Sequence, residues 1–133
     1  MKVNAKWKET KTPVNETEQP VKIIRSDTRT ILAECYGDAV TTLAVTVTVQ
    51  KLLIDGMKVD VYTKTSGTVG DGIVITEVSA DKFYKVVIPI IDKTDTSGFD
   101  PGDVFFFDVE FTTTTERSTI LGNFTLVEDR TLN

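Results

Sequence analysis

Two stretches of this chain alternate apolar and polar residues with a period of two, and that period constrains the fold more than any other feature. Leu43 to Gln50 reads Leu-Ala-Val-Thr-Val-Thr-Val-Gln, which sets Leu43, Val45, Val47 and Val49 on one face and Thr46 and Thr48 on the other. Phe105, Phe107, Val109 and Phe111 alternate in the same way with Phe106, Asp108 and Glu110. Successive side chains of an extended strand point to opposite faces, whereas an α-helix repeats about every 3.6 residues. Both stretches therefore read as half-buried β-strands. The composition agrees: threonine and valine are abundant and alanine and leucine sparse, as β-branched side chains prefer strands.

The rest of the chain continues in short apolar runs separated by turn signals. Val21, Ile23 and the region Thr28 to Tyr36 predict an opening pair of strands, broken at Gly37-Asp38. Asp55-Gly56 predicts a tight hairpin, because both residue types tolerate positive φ, with Met57, Val59 and Val61 alternating beyond it. Gly67, Gly70 and Gly72 mark a loose connection before a strand at Ile73 to Val78. Phe83 to Ile91 is more continuously apolar and predicts a central strand, with Pro89 placing its end at an edge or bulge.

Asp100-Pro101-Gly102 is a turn signature, Thr112 to Arg117 a hairpin tip, and Gly122 in the last strand a bulge or a close backbone approach. Seven to nine strands without a helical window predict an all-β, immunoglobulin-like antiparallel sandwich. Phe107, Val109, Val47 and Ile88 are its expected core.

A length of 133 residues and a 40% hydrophobic fraction suit one domain with one core. The expected division is an extended arm at 1–20 and the sandwich at 21–133. The arm is polar, holds Pro13 and Pro20, and has only Val3, Trp7 and Val14 as apolar anchors. Two readings of the arm stand side by side: a disordered terminus, or an extended segment of roughly 60 Å reach ordered against a neighbouring chain with Trp7 as its candidate interface residue, since aromatic side chains are favoured in interfaces.

The net charge of -5 argues against nucleic acid as a partner, because affinity for a phosphate backbone comes from clustered Lys and Arg. The polar N-terminus holds no apolar stretch fit for a signal peptide, and no run approaches the roughly 18 apolar residues of a membrane-spanning helix. Synthesis in the cytoplasm, without a membrane partner, is the expectation.

Catalytic chemistry finds little support. Without a histidine, neither a Ser-His-Asp nor a Cys-His system can be assembled. The single cysteine, Cys35, lacks a disulfide partner and a metal-ligand set, and reads as a small buried hydrophobe. Asp92, Asp95, Asp100 and Asp103 share one loop, yet their register departs from a calcium-binding loop, with Gly98 one place late; local turn hydrogen bonding explains them better.

Asp108 and Glu110, two apart on one strand face, read as solvated surface rather than as the carboxylate pair of a glycosidase. Gly70-Asp71-Gly72 does not match a phosphate-binding loop. Asn15-Glu16-Thr17 and Asn123-Phe124-Thr125 are chance matches to the glycosylation sequon. No enzyme activity, metal or cofactor is expected.

The order of motifs resembles the N-terminal domain family of bacteriophage baseplate upper proteins and related small β-sandwich proteins of phage tails. The residues that carry this are Ser26-Asp27-Thr28, the hairpin from Leu43 to Lys64, and Asp95-Thr96. Pro101-Gly102, Phe107-Asp108-Val109 and Thr119-Ile120-Leu121-Gly122-Asn123-Phe124 follow in order. The resemblance spans about residues 21 to 131.

It implies a virion structural protein, an adaptor of the tail or baseplate present in many copies, whose partners are other virion proteins or further copies of itself. Two other readings stand beside it. One is a head-associated accessory or decoration protein, which the same fold would serve. The other is a carbohydrate-binding module, for which the loops offer Phe99 and Tyr36.

Overall fold

The computed structural model describes residues 1–8, 13–14, 21–24, 27–38, 40–91 and 100–128. Among them the chain forms nine strands: β1 (Lys2–Trp7), β2 (Val21–Ile24), β3 (Arg29–Tyr36), β4 (Ala44–Leu52), β5 (Lys58–Thr65), β6 (Val74–Ser79), β7 (Phe83–Ile91), β8 (Val104–Thr112) and β9 (Arg117–Val127). They form two sheets, ordered β1-β3-β7-β6 and β2-β9-β8-β4-β5. Taking β1 as strand A, β3 and β4 as B and C, and β6 to β9 as D to G, the sheets read A-B-E-D and G-F-C, the order of an immunoglobulin-like sandwich. The second sheet is widened by β5 beyond C and by β2 beyond G.

The fold is all-β, as the alternation predicts, but not wholly antiparallel. β2 runs parallel to β9, with Val21 beside Phe124 and Ile24 beside Val127. A hairpin turn forces antiparallel pairing on the strands it joins, whereas a strand arriving by a long connection is free of that constraint.

The core lies between the sheets and follows the alternation directly. Val45, Val47 and Val49 of β4 face Phe111, Val109 and Phe107 of β8 across the ladder, all buried. Ile31, Ala33 and Cys35 of β3 and Val86, Ile88 and Ile90 of β7 supply the opposite wall. Each large apolar side chain buried this way contributes about 1.5–3 kcal/mol.

Gly122 organises the centre. It stands opposite Phe107 with no break in the β8–β9 register, so β9 is continuous and carries no bulge there. A Cβ at this position would lie 2.2 Å from Phe107 Cζ. The glycine is required because the far end of the ring occupies the space a side chain would need. Trp7 meets the same ring in a T-shaped contact, with centroids 5.6 Å apart at 84°.

This packing corrects the arm expected at 1–20. Lys2–Trp7 is an edge strand of the first sheet, in antiparallel register with β3 from Lys2 opposite Tyr36 to Trp7 opposite Ile31. Trp7 is 3% exposed within a single chain, so it is a core residue rather than an interface anchor. The reason is legible afterwards: Val3, Ala5 and Trp7 alternate with Lys2, Asn4 and Lys6, so six residues suffice to lay one apolar face on the core. Pro13 bridges back to Lys6, and Val14 is buried as well. The remaining expected arm residues, 9–12 and 15–20, lie outside the described residues.

The turns explain the hairpins. Leu53 N donates to Met57 O at 2.8 Å around Ile54-Asp55-Gly56, and only Gly56 takes positive φ, at 85°. Asp55 serves instead through its side chain, Oδ1 accepting from Met57 N at 3.0 Å. At the glycine-free tip between β8 and β9, Thr113 N donates to Glu116 O at 2.9 Å and Thr113 Oγ1 accepts from Glu116 N at 3.1 Å. The N-terminal amine holds Glu116 Oε2 at 2.7 Å, tying β1 to that tip.

Two substitutions test this arrangement by thermal and denaturant unfolding. Gly122→Ala displaces the Phe107 ring and is expected to cost roughly 1–3 kcal/mol as an overpacked site. Trp7→Ala leaves a cavity at the centre and is expected to cost about 3–5 kcal/mol. A loss below about 0.5 kcal/mol for Trp7→Ala, the range of an ordinary surface change, would remove β1 from the core.

Candidate interaction surface

The side chains singled out for chemistry fall on separate parts of the sandwich. Asp108 and Glu110 both point outward from β8 on the open face of the five-stranded sheet, side by side, with Thr48 and Thr46 beside them on β4 and Leu121 and Thr119 on β9. Gln50 Nε2 donates to Asp60 Oδ1 at 2.8 Å on the same face, and Arg117 lies 3.8 Å from Glu110. Partial burial, with Glu110 and Asp60 nearby, pushes the Asp108 carboxyl above its ordinary value. The arrangement is a threonine-lined face on which Asp60, Asp108 and Glu110 stand beside Arg117 and Lys58, whose Nζ lies 4.2 Å from the Phe106 ring.

The aspartates of the 92–103 loop divide. Asp103 Oδ2 holds Lys51 Nζ at 2.9 Å at the base of the sandwich, and that hydrogen bond raises the lysine pKa. Asp100 starts the Pro101-Gly102 turn, its carbonyl accepting from Asp103 N at 3.2 Å. Asp92, Asp95, Thr96 and Phe99 lie outside the described residues, as do Ser26 and the sequon at Asn15. Among the described residues no group of three or more metal-ligating side chains converges.

Cys35 is fully buried on β3, and burial pushes its thiol up to about 12. Phe124, the middle of the second sequon, is buried in β9. Asp71, between the glycines of the β5–β6 connection, accepts from Thr65 N through Oδ2 at 2.9 Å, which closes that loop on its own strand. Tyr36 stacks on Phe83 on the outer face of the four-stranded sheet, with centroids 6.2 Å apart, and Asn4 Nδ2 donates to its hydroxyl at 3.0 Å. Lys2 Nζ lies 5.8 Å from the same ring.

What the sequence reading missed is the difference between the sheet borders. β1 carries Lys2 and Lys6 and has Pro13 bridged to it. β2 has only four residues. β5 carries Lys58, Asp60 and Lys64 and is bulged against β4 near Val49. Short length, charges, proline and bulges are how proteins stop a border strand from pairing with another chain.

β6, Val-Ile-Thr-Glu-Val-Ser, carries a single charge, and that Glu77 accepts from the Tyr84 hydroxyl at 2.7 Å. An apolar row leads to it across the outer face: Leu32 beside Val87, and Val87 beside Val74. Val87, Val74 and Val78 are 38%, 53% and 57% exposed. The signal was present as apolar residues in the strand, but exposure is a property of the assembled sheets.

No family model matches the chain, and no curated protein aligns with it significantly. No helix among the described residues is long and apolar enough to cross a membrane.

Asp108 yields a pH prediction. The folded chain holds the Asp108 proton more tightly than an unfolded chain, whose aspartate titrates at about 3.9. The ionised carboxylate therefore costs stability at neutral pH, and the cost fades as pH falls through the folded pKa and is gone below the unfolded one. Asp108→Asn is expected to melt above the wild type at about pH 7, with the gap closing below about pH 4. Equal melting at neutral pH would contradict it.

Proposed function

We propose that this chain is a bacteriophage virion structural protein, a multi-copy adaptor of the tail or baseplate whose work is protein–protein contact. The observation that carries the contact part is the border strand β6, whose single charge, Glu77, is held by the Tyr84 hydroxyl, with the apolar row Leu32, Val87 and Val74 running up to it. An exposed strand edge offers a row of main-chain donors and acceptors, and flanking apolar side chains add specificity. The phage setting rests on the ordered motifs from Pro101-Gly102 to Thr119-Ile120-Leu121-Gly122-Asn123-Phe124.

A structural role also fits the way the polar groups are used. Asp103, Glu116, Glu77 and Asp71 are engaged within the fold at a lysine, the terminal amine, a tyrosine hydroxyl and a backbone amide. The reading makes the protein part of the particle, made in the host cytoplasm and retained in the virion.

The test is quantitative mass spectrometry of purified particles from the phage that encodes the chain, with antibody labelling in the electron microscope. Several copies per particle, labelled at the tail or baseplate, are expected. Label over the head would replace the adaptor with a decoration protein. Absence from particles, together with specific retention on a glycan array, would replace both with carbohydrate binding.

A further inference from the structure

We infer that the end of the sandwich where β3 leaves its sheet and β8 turns into β9 holds a binding site for a neutral sugar ring. The inference goes beyond the adaptor reading and does not need it.

The loops at this end are tied into one unit. Gly37 N donates to Lys82 O at 3.0 Å and Val40 N to Asp81 O at 2.7 Å, joining the β3–β4 connection to the β6–β7 turn. The Thr42 and Thr114 hydroxyls share a hydrogen bond at 2.7 Å, joining the same connection to the β8–β9 tip. Thr42 and Asp81 are the two non-glycine residues with positive φ among the described residues, at 53° and 55°, and both lie in these loops. Such backbone costs energy, and it persists where the surrounding contacts over-determine a loop.

Beside this unit opens a cleft of about 530 Å³, within the roughly 300–1,000 Å³ of small-molecule sites. Tyr36, Gly37 and Asp38 line it from the end of β3, Lys2 from β1, and Thr115 and Glu116 from the β8–β9 tip. The Tyr36 ring is held in place: it stacks on Phe83, which lies outside the lining, and Asn4 Nδ2 donates to its hydroxyl at 3.0 Å. The phenolic proton is left to donate. The Met1 amine holds Glu116 Oε2 at 2.7 Å, and a carboxylate held this way keeps further lone pairs for acceptance.

The chemistry of the lining selects the ligand. Two cations, Lys2 and the Met1 amine, balance two carboxylates, Asp38 and Glu116, so an ion of either sign gains little there. One aromatic wall then stands among donors and acceptors. A pyranose matches that combination: it is neutral, its ring has apolar C–H faces that pack on an aromatic ring, and its hydroxyls both donate and accept. Lys2 Nζ stands 5.8 Å from the centre of the Tyr36 ring on an exposed, flexible stem, so it yields the ring to a sugar and donates to its hydroxyls. Groups fixed in advance spare the complex the cost of ordering them.

The test uses the purified full chain, with any affinity tag at its C-terminus so that the Met1 amine stays free. It is applied to an array of neutral and acidic oligosaccharides, and the retained sugars are titrated in solution against isotope-labelled protein by NMR. Retention of neutral sugars is expected, with the largest amide shifts at Gly37, Asp38 and Thr115. Tyr36→Ala and Asp38→Ala are each expected to weaken binding at least about fivefold, while Asp60→Ala on the other sheet leaves it unchanged. Exposed Asp38 decides the matter if Tyr36→Ala does not fold.

Retention of no neutral sugar, or of acidic sugars alone, overturns the inference. So does binding indifferent to Asp38→Ala, or amide shifts centred elsewhere. Particles that hold the chain while no sugar binds would remove this site and leave the adaptor reading intact.

Discussion

Everything in this sandwich is arranged around the Phe107 ring. Its far end fills the space over Gly122, where a Cβ would sit 2.2 Å from the ring, and the indole of Trp7 meets it from the other sheet. Phe124 follows at 6.3 Å from Phe107, and Phe105 stacks on Phe124 at 4.9 Å. Strands from both sheets thus meet in one aromatic cluster. Interiors packed at crystal-like density cannot shift to accommodate a change at such a point, so the separation of the sheets is set there.

Immunoglobulin-type sandwiches of the antibody kind join their sheets with a disulfide between strands B and F. Here strand B carries the lone buried Cys35, and the inward positions of strand F are Phe105, Phe107, Val109 and Phe111. The sheets are held by apolar area and ring contacts, and the first strand takes a direct part in this through Trp7. That is why residues reading as a polar tail are bound into the fold.

Polar chemistry is distributed rather than gathered. The outer face of the five-stranded sheet sets Asp60, Asp108 and Glu110 among threonines with Lys58 and Arg117, and the borders β1, β2 and β5 carry proline, shortness, charge or a bulge. β6 carries one charge, Glu77, which accepts from the Tyr84 hydroxyl, and a bulge between Glu77 and Ser79.

The strands were legible because alternation reports local geometry. Phe83 to Ile91 was expected as a strand and is one, and Phe107, Val109, Val47 and Ile88 are buried as the period requires. Gly122 was expected as a bulge or a close approach, and the ring of Phe107 made it the latter. Trp7 was misplaced because three apolar residues among lysines fall short of a strand signal until β3 lies beside them. The sequence by itself determined that the chain is all-β, which faces of its strands are apolar, and where most of the hairpins turn. Each of these depends on residues close together along the chain.

The assembled sheets alone set β2 parallel to β9, bring β1 into the core, and lead the apolar row Leu32, Val87 and Val74 to the border strand β6. Pairing partners and exposure depend on residues tens of positions apart, and no local period encodes them.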